Sequence, residues 1–220
     1  MYRLRNGIHA ALVDGRSVLL DIPKDRYFLV PDSVNDVLGN LDRGHDISPS
    51  QQQRLGSLVR SGVLVASPGG HNRRIYTKPT AEPAAEAPQR QHTNRLLAAA
   101  LFQHARTSIR LRLSSIDAIL DNLRSRKKRL IESGKFASAH AVYERASAFR
   151  SSSKFYPNDH RCLRRSIAFM DDLLRHGHVA DLVVGVQLSP FSAHCWVQQG
   201  ETVLNDGIED VQPYTSILVI

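Results

Sequence analysis

The sequence predicts an α+β protein of two parts, with a small N-terminal module followed by a C-terminal domain of helices and antiparallel strands. Three observations carry this prediction. Short apolar runs separated by turn residues occupy residues 7–30, apolar residues at helical spacing fill residues 93–149, and a helical pattern followed by strand-like runs covers residues 161–206. A chain of 220 residues is long enough for one ample domain or two small ones.

The first apolar runs predict three strands, at Gly7–Val13, Ser17–Ile22 and Arg26–Val30. Asp14-Gly15 separates the first two and is typical of a tight hairpin turn. Pro23–Asp25 supplies the turn before the third strand. The module is therefore expected to begin with an antiparallel sheet.

Two helices and a further strand pair are predicted to complete the module. One helix starts at Pro31–Ser33. Another begins at Ser48-Pro49, a capping residue followed by proline at the first helical position, and ends at Gly62. Val63–Ala66 and Arg74–Thr77 are expected to pair as a small wing. This order of strands, helices and wing is typical of a winged-helix-like module.

A linker is predicted at residues 79–92, which are rich in proline and alanine and hold no large apolar residue. Such a composition favours a semi-extended chain. The linker divides the chain into a module at 1–78 and a domain at 93–220. Few contacts are expected across it.

Three helices are predicted to open the C-terminal domain. Thr93 is a capping residue for the first, Ser115–Ser133 forms the second, and Gly134 ends it. Lys135–Phe149 forms the third. Their apolar stripes are expected to pack around the strands that follow.

Cys162 is the candidate nucleophile because it falls in the first turn of a helix predicted from Arg161 to His176. Asn158 and Asp159 are suitable capping residues for this helix. Free N–H groups and the helix dipole at such a position favour a thiolate over a thiol. Nearby arginines are expected to lower the pKa of the thiol further, namely Arg161, Arg164 and Arg165.

A histidine and an aspartate follow in the order that a thiol nucleophile requires of its base and orienting acid. His194 lies in a predicted strand, and Asp206 ends the next one. A three-residue loop centred on Gly200 places the two residues opposite each other on one face, whereas a two-residue loop places them on opposite faces. Cys195 points away from the His194 face and is expected to be a packing residue.

These residues carry a resemblance to the lasso peptide leader peptidases, which are transglutaminase-like cysteine proteases. The matching runs are CLRRSIAFMDDLL (162–174), LVVGV (182–186), PFSAHCWV (190–197) and VLND (203–206). The resemblance covers about the last 65 residues and implies a papain/transglutaminase-like domain with Cys162, His194 and Asp206 as catalytic residues. Cys195 departs from the pattern, because a small residue is expected there.

The N-terminal module resembles the PqqD-like peptide-recognition element, which in lasso systems is separate from the peptidase or fused ahead of it. The resemblance covers about residues 1–78 and implies that an extended leader peptide pairs with the free edge of the third strand. It places a leader-binding groove at Tyr27, Phe28, Leu29, Leu55, Leu58 and Val59. The alternative is that these residues form the core of the module. Phe28 cannot share a strand face with its two neighbours.

Composition excludes several classes of protein. A membrane span would need a run of about 18 apolar residues, and secretion would need a signal-peptide pattern, and the sequence has neither. It also lacks the ligand spacing of a metal site and the phosphate loop of a nucleotide-binding protein. Two cysteines do not make a disulfide framework, which favours the cytoplasm.

The net charge of +8 comes from residues 90–150, with 13 basic and 4 acidic residues. The run RSRKKR (124–129) is either a solvated helix face or a surface for an acidic partner.

The resemblance implies hydrolysis of one peptide bond in a ribosomally made precursor, which releases its leader through a thioester. No cofactor is evident in the chain. Any use of ATP would belong to a partner, an asparagine-synthetase-like lasso cyclase that closes the ring. One alternative is an acyltransferase with the same triad. Another is a nucleic-acid-binding winged helix, which the near balance of 11 basic and 9 acidic residues at 1–89 disfavours.

Overall fold

The computed structural model describes residues 2–67, 75–155 and 162–220, and it confirms an α+β fold. The strands form a two-stranded, a three-stranded and a five-stranded sheet within these described ranges. The C-terminal domain holds the long helices and the largest sheet.

The three-stranded sheet contains β2 (Ile8–Val13), β3 (Arg16–Asp21) and β4 (Arg26–Leu29), paired antiparallel in that order. Each strand begins and ends within one residue of its prediction. The hairpin turn at Asp14-Gly15 is confirmed, and both residues have the positive φ, 48° and 76°, that such a turn requires. Within the described residues, β4 pairs on one side only, so its outer edge is free.

The helices of the module are α1 (Asp32–Asp42), α2 (Pro49–Arg54) and α3 (Gly56–Arg60). The predicted start at Ser48-Pro49 is confirmed, since Ser48 forms a capping box with Gln51. The second predicted helix is divided into α2 and α3 at Leu55, which has no exposed surface.

The predicted wing is wrong in its pairing. The strand at 63–66 exists as β5 (Leu64–Ala66), but it pairs antiparallel with an unpredicted short strand, β1 (Tyr2–Leu4). Arg74 lies outside the described residues. Tyr76 forms a bridge with β2, because the Asp42 carboxylate accepts hydrogen bonds from the backbone N–H groups of Ile75 and Tyr76 and holds that segment there.

The N-terminal sheet is buried on both faces. One face packs against the helices of the module, and the residues of this core include Ile8, Ala10, Leu19, Val34, Leu38 and Leu55. The opposite face belongs to the large core of the C-terminal domain through Ala11, Val13, Val18, Leu20 and Ile22. The expectation of few contacts between the two parts is therefore wrong. The apolar run at 18–20 has the composition of a strand that is buried on both sides.

The predicted linker contacts the C-terminal domain at several points between residues 81 and 92. It contains β6 (Ala85–Glu86), which pairs in parallel with β9 (Thr202–Val203) at the edge of the five-stranded sheet. Ala87 is buried in the core, and its carbonyl accepts a hydrogen bond from Arg150. Proline and alanine correctly indicated an extended chain, but the extended chain is used as a strand.

The C-terminal domain packs helices against one face of the five-stranded sheet. These helices are α4 (Asn94–Leu113), α5 (Ile116–Ser133), α6 (Ala139–Ser153) and α7 (Cys162–Arg175). The short α8 (Ile208–Val211) lies on the other face, where Val211 packs with Val183 and Trp196. The remaining strands are β7 (Asp181–Leu188), β8 (Phe191–Gln199) and β10 (Thr215–Val219), and the sheet order is β10-β7-β8-β9-β6. The predicted caps at Thr93 and Gly134 are confirmed.

Helix α7 is the central helix of this domain, and residues 166–174 are all buried. The Asp171 carboxylate has no exposed surface and forms ion pairs with arginine side chains of α4, α5 and α7. These come from Arg106, Arg110, Arg126 and Arg175. One buried carboxylate thus fixes α7 to α4 and α5. In the part of the chain that the structure describes, no helix has the length and apolar character needed to cross a membrane.

Candidate active site

The candidate nucleophile lies at the first described residue of α7. Cys162 is partly exposed, whereas residues 166–174 of the same helix are buried. The residues predicted to cap the helix, Asn158 and Asp159, and the neighbouring Arg161 lie outside the described residues. The Ser166 hydroxyl, one turn after Cys162, donates a hydrogen bond of 2.8 Å to the backbone carbonyl of Cys195. This contact fixes the start of α7 against the strand that carries the histidine.

His194 lies in the middle of β8 and connects the other two candidate residues. Its Nε2 atom lies 2.8 Å from Oδ2 of Asp206, and the side chains of these two residues are only 20% and 17% exposed. The Cys162 thiol lies beside the same imidazole, which lowers the pKa of the thiol, and both residues line one cavity. Because Nε2 is taken by Asp206, Nδ1 is left for the cysteine. The structure therefore brings together all three residues that the sequence nominated.

The hairpin register that was predicted for this contact is wrong. Gln198 pairs with Val203 and Gln199 with Thr202, so the loop has two residues, Gly200 and Glu201. In this register a straight strand would place residue 206 opposite residue 195 rather than opposite 194. Strand β9 ends at 203, however, and the chain bends over residues 204–206. The bend, and not strand pairing, turns the aspartate toward the imidazole.

Asn205 holds the bend in place. Its buried side chain accepts a hydrogen bond of 2.7 Å from the backbone N–H of Val197 and donates one of 3.0 Å to the Ser166 hydroxyl. The side chain thus connects the bend to β8 and to α7 at once. Sequence reasoning missed both Asn205 and Ser166, although Asn is a common residue where a strand ends.

The electrostatics of the site favour a thiolate and an imidazolium. Burial alone would raise the pKa of the Cys162 thiol, but the hydrogen bond and charge of His194 and backbone hydrogen bonds from Cys195 and Leu163 bring it below its ordinary value. Burial alone would lower the pKa of His194, but its contacts with Asp206 and Cys162 raise it to about 9. Among the described residues, the dominant partner of the thiol is therefore the imidazole rather than Arg164 or Arg165.

Cys195 has the opposite character. It is fully enclosed in the core on the face of β8 that packs against α7, and burial raises the pKa of its thiol well above the ordinary value. A neutral, inaccessible thiol is a poor nucleophile. The two cysteines of the chain are thus clearly separated in reactivity by their environments.

Aromatic side chains support the imidazole from its own face of the sheet. The ring of His194 lies 6.2 Å from Trp196 and 5.4 Å from Tyr214, measured between ring centroids. On the neighbouring strand, Gly185 pairs with His194. A Cβ atom at Gly185 would lie 2.7 Å from Cβ of Tyr214 and 2.8 Å from the Trp196 ring. A glycine is required here because the aromatic rings occupy the space of a side chain.

The comparison with protein-family models agrees with this geometry. A model of the transglutaminase-like superfamily matches residues 104–219, which is more than half of the chain. The chain belongs to the transglutaminase-like superfamily. Searches of curated proteins and of solved structures gave no match.

The transglutaminase-like domain contains all three candidate residues within the matched range, which begins in α4 and ends in β10. A transglutaminase-like domain suggests activity of the cysteine protease or acyltransferase type. Both reactions begin with attack of a thiolate on a carbonyl carbon and pass through a thioester. A thiolate beside an imidazolium provides the nucleophile and the acid for that step. Within the described residues, no cluster of three potential metal ligands is found.

The residues predicted to bind a leader are divided among different environments. Tyr27 packs against the core of the transglutaminase-like domain, whereas Phe28 packs against the core of the N-terminal module. Leu55 and Leu58 are buried in that second core. Leu29 and Val59 are 40% and 36% exposed. The alternation of faces along β4 is confirmed. Of the six predicted leader-binding residues, only those of β4 and Val59 keep surface that a peptide could contact.

Tyr27 reaches the neighbourhood of the candidate catalytic residues. A cavity of about 70 Å³ beside Cys162 and His194 is lined by residues of both parts of the chain, and Tyr27 is one of them. Burial and the nearby Cys195 and Cys162 side chains raise the pKa of its hydroxyl, which therefore stays protonated. The sequence nominated Tyr27 as a leader-binding residue but gave no indication that it lies next to the cysteine.

Proposed function

We propose that this chain is a cysteine peptidase that removes the leader from a ribosomally made precursor peptide. One observation carries the proposal, namely the arrangement in which Nε2 of His194 lies 2.8 Å from the Asp206 carboxylate while the same imidazole lies beside the Cys162 thiol. This is the nucleophile–base–orienter arrangement of thiol hydrolases. Membership of the transglutaminase-like superfamily supports the same chemistry.

The reaction begins with attack of the Cys162 thiolate on the carbonyl carbon of the scissile bond. The backbone N–H of Cys162 is suited to donate to the resulting oxyanion. The His194 imidazolium then gives its proton to the departing amine, the C–N bond breaks, and a thioester remains on the cysteine. Neutral His194 next takes a proton from water, whose oxygen attacks the thioester. Collapse of this intermediate releases the leader acid and restores the thiolate and the imidazolium.

Recognition of the leader is assigned to the N-terminal module. The outer edge of β4 is unpaired in the described part of the chain, so its backbone groups are available to an added strand. The predicted groove residues Tyr27, Leu29 and Val59 retain accessible surface or line cavities. The resemblance to PqqD-like elements supports this role. The proposal places the reaction in the cytoplasm, with ring closure left to a separate ATP-using cyclase that resembles asparagine synthetase.

The decisive experiment is incubation of the full chain with the precursor peptide encoded beside its gene, with and without the cyclase. Mass spectrometry in H₂¹⁸O should find a leader carboxylate that contains ¹⁸O and a core peptide with a free amine. Cys162→Ala should give neither product. An amide between the leader and an added amine, with no ¹⁸O incorporation, would contradict hydrolysis and establish an acyltransferase instead.

Binding by strand addition has its own test. Calorimetry should detect a complex between the full Cys162→Ala chain and the leader peptide. Main-chain hydrogen bonds tolerate many side-chain changes, so most single leader substitutions should have small effects, whereas a proline in the middle of the paired segment should abolish binding. Equal binding of the proline variant would exclude strand addition.

A further inference from the structure

The catalytic pocket is built from both parts of the chain. We define it as the cavity of about 70 Å³ beside the nucleophile, whose walls include Leu20, Ile22 and Tyr27 from the N-terminal module and Ile116, Leu120 and Cys162 from the C-terminal domain. The lining is mostly apolar. This small volume favours a small side chain over an aromatic one.

A second cavity lies along β4. This edge groove has a volume of about 300 Å³, and its walls include Arg16, Tyr27, Leu29, Leu188 and Phe191. It therefore lies between the free edge of the N-terminal sheet and the turn that precedes the strand of His194. A peptide that pairs with β4 would enter this groove.

Among the described residues, Tyr27 is the one that lines both the edge groove and the catalytic pocket. Its ring makes an edge-to-face contact with Phe191, with 5.6 Å between ring centroids, which fixes its orientation. The same side chain packs against the large core, so the ring cannot swing away without exposing apolar surface. Tyr27 is thus the wall between the surface where a peptide would dock and the atoms that would cut it.

We propose that Tyr27 is a specificity-determining residue, which limits the substrate side chain next to the scissile carbonyl to a small, uncharged one. The proposal rests on the peptidase function proposed above. It follows that the N-terminal module shapes the catalytic pocket in addition to binding the leader. A peptide paired with β4 then meets the Tyr27 ring before it reaches Cys162, so the same residue borders docking and cleavage.

The experiment measures access to Cys162 with two thiol reagents of different size, iodoacetamide and N-cyclohexylmaleimide, in the full chain on a Cys195→Ala background. Tyr27→Ala and Tyr27→Leu should raise the rate of the maleimide at least about tenfold, equal to about 1.4 kcal/mol, and change that of iodoacetamide little. Tyr27→Phe should resemble the parent. Tyr143→Leu is the matched control, because Tyr143 is also a partly buried tyrosine of the large core but does not line the pocket.

The proposal would be overturned if both reagents reacted faster by the same factor. It would also be overturned if neither Tyr27 variant reacted faster with the maleimide while its melting temperature was unchanged. A second arm uses peptidyl aminomethylcoumarin amides with Ala, Val, Leu or Phe at the acyl position. The parent should prefer Ala or Val, and Tyr27→Leu should shift the preference toward Leu and Phe, whereas an unchanged preference counts against the proposal. If the parent cleaved no peptide of any kind, the peptidase function would fail, and the alkylation rates would still decide the role of Tyr27 as a wall.

Discussion

Nε2 of His194 lies 2.8 Å from Oδ2 of Asp206 because the chain bends at residues 204–206. This contact is a major reason that the pKa of His194 rises to about 9 although the ring is largely buried. The imidazole is thereby kept protonated beside the cysteine. The reactivity of the site therefore depends on a short stretch of irregular chain after β9.

Replacement of the nucleophile should separate the two cysteines. Cys162→Ala should abolish leader release, since the thiolate beside His194 is lost. Cys195→Ala should retain most activity, because that thiol is buried, has a raised pKa and faces the core. Iodoacetamide labelling followed by peptide mapping checks the same assignment. Inactivation accompanied by labelling of Cys195 alone would contradict it.

Replacement of the orienting acid should leave the fold intact and remove the chemistry. An amide cannot stabilise the imidazolium, so Asp206→Asn should lower kcat/KM by a factor on the order of 10³–10⁴ while the melting temperature changes little. Glu209→Gln, an exposed carboxylate on the adjacent α8, is the matched control and should be active. Normal turnover by Asp206→Asn would show that this carboxylate has no part in catalysis.

The activity should depend on pH in a direction set by the thiol and the imidazole. The thiolate forms above the pKa of Cys162, which is below its ordinary value, and the imidazolium persists up to a pKa of about 9. The profile of kcat/KM should therefore rise at the lower limb, as the cysteine loses its proton, and fall near pH 9, as His194 loses its own. These two limbs belong to the coupled pair. An alkaline limb near the ordinary histidine value would refute the proposed ion pair.

Asn205 should act as a positioning residue for the aspartate. Asn205→Ala leaves the buried N–H of Val197 without its acceptor, which should cost about 1–3 kcal/mol in the free energy of unfolding. It should also lower kcat/KM and move the alkaline limb to lower pH, because the bend no longer aims Asp206 at the ring. Gln199→Ala, which removes another side chain to backbone hydrogen bond of β8, should leave the limb unchanged.

Asp171 should contribute to stability rather than chemistry. Asp171→Asn removes the charge that several arginines of α4, α5 and α7 share, so denaturant unfolding should show a loss of about 3 kcal/mol or more. Asp121→Asn is the control, because its ion pair with Arg124 is exposed and should contribute less than about 1 kcal/mol. A similar small loss in both variants would show that the buried carboxylate does not hold α7 in place.

Local patterns in the sequence were sufficient for the elements and for the three candidate residues. Turn residues at positions 14–15, the cap at Ser48 and the glycine at 134 act through backbone geometry within a few residues, so their effects could be predicted without a fold. The order of Cys162, His194 and Asp206 could be read in the same way. The α+β class followed from these elements.

Only the tertiary structure decided how the parts meet. It replaced the expected register with a bend held by Asn205 and used the linker as a strand. It also buried the second face of the N-terminal sheet against the other part of the chain, which brought Tyr27 next to Cys162. These features depend on contacts between residues far apart in sequence, and such contacts are selected by the packing of whole surfaces rather than by any local pattern.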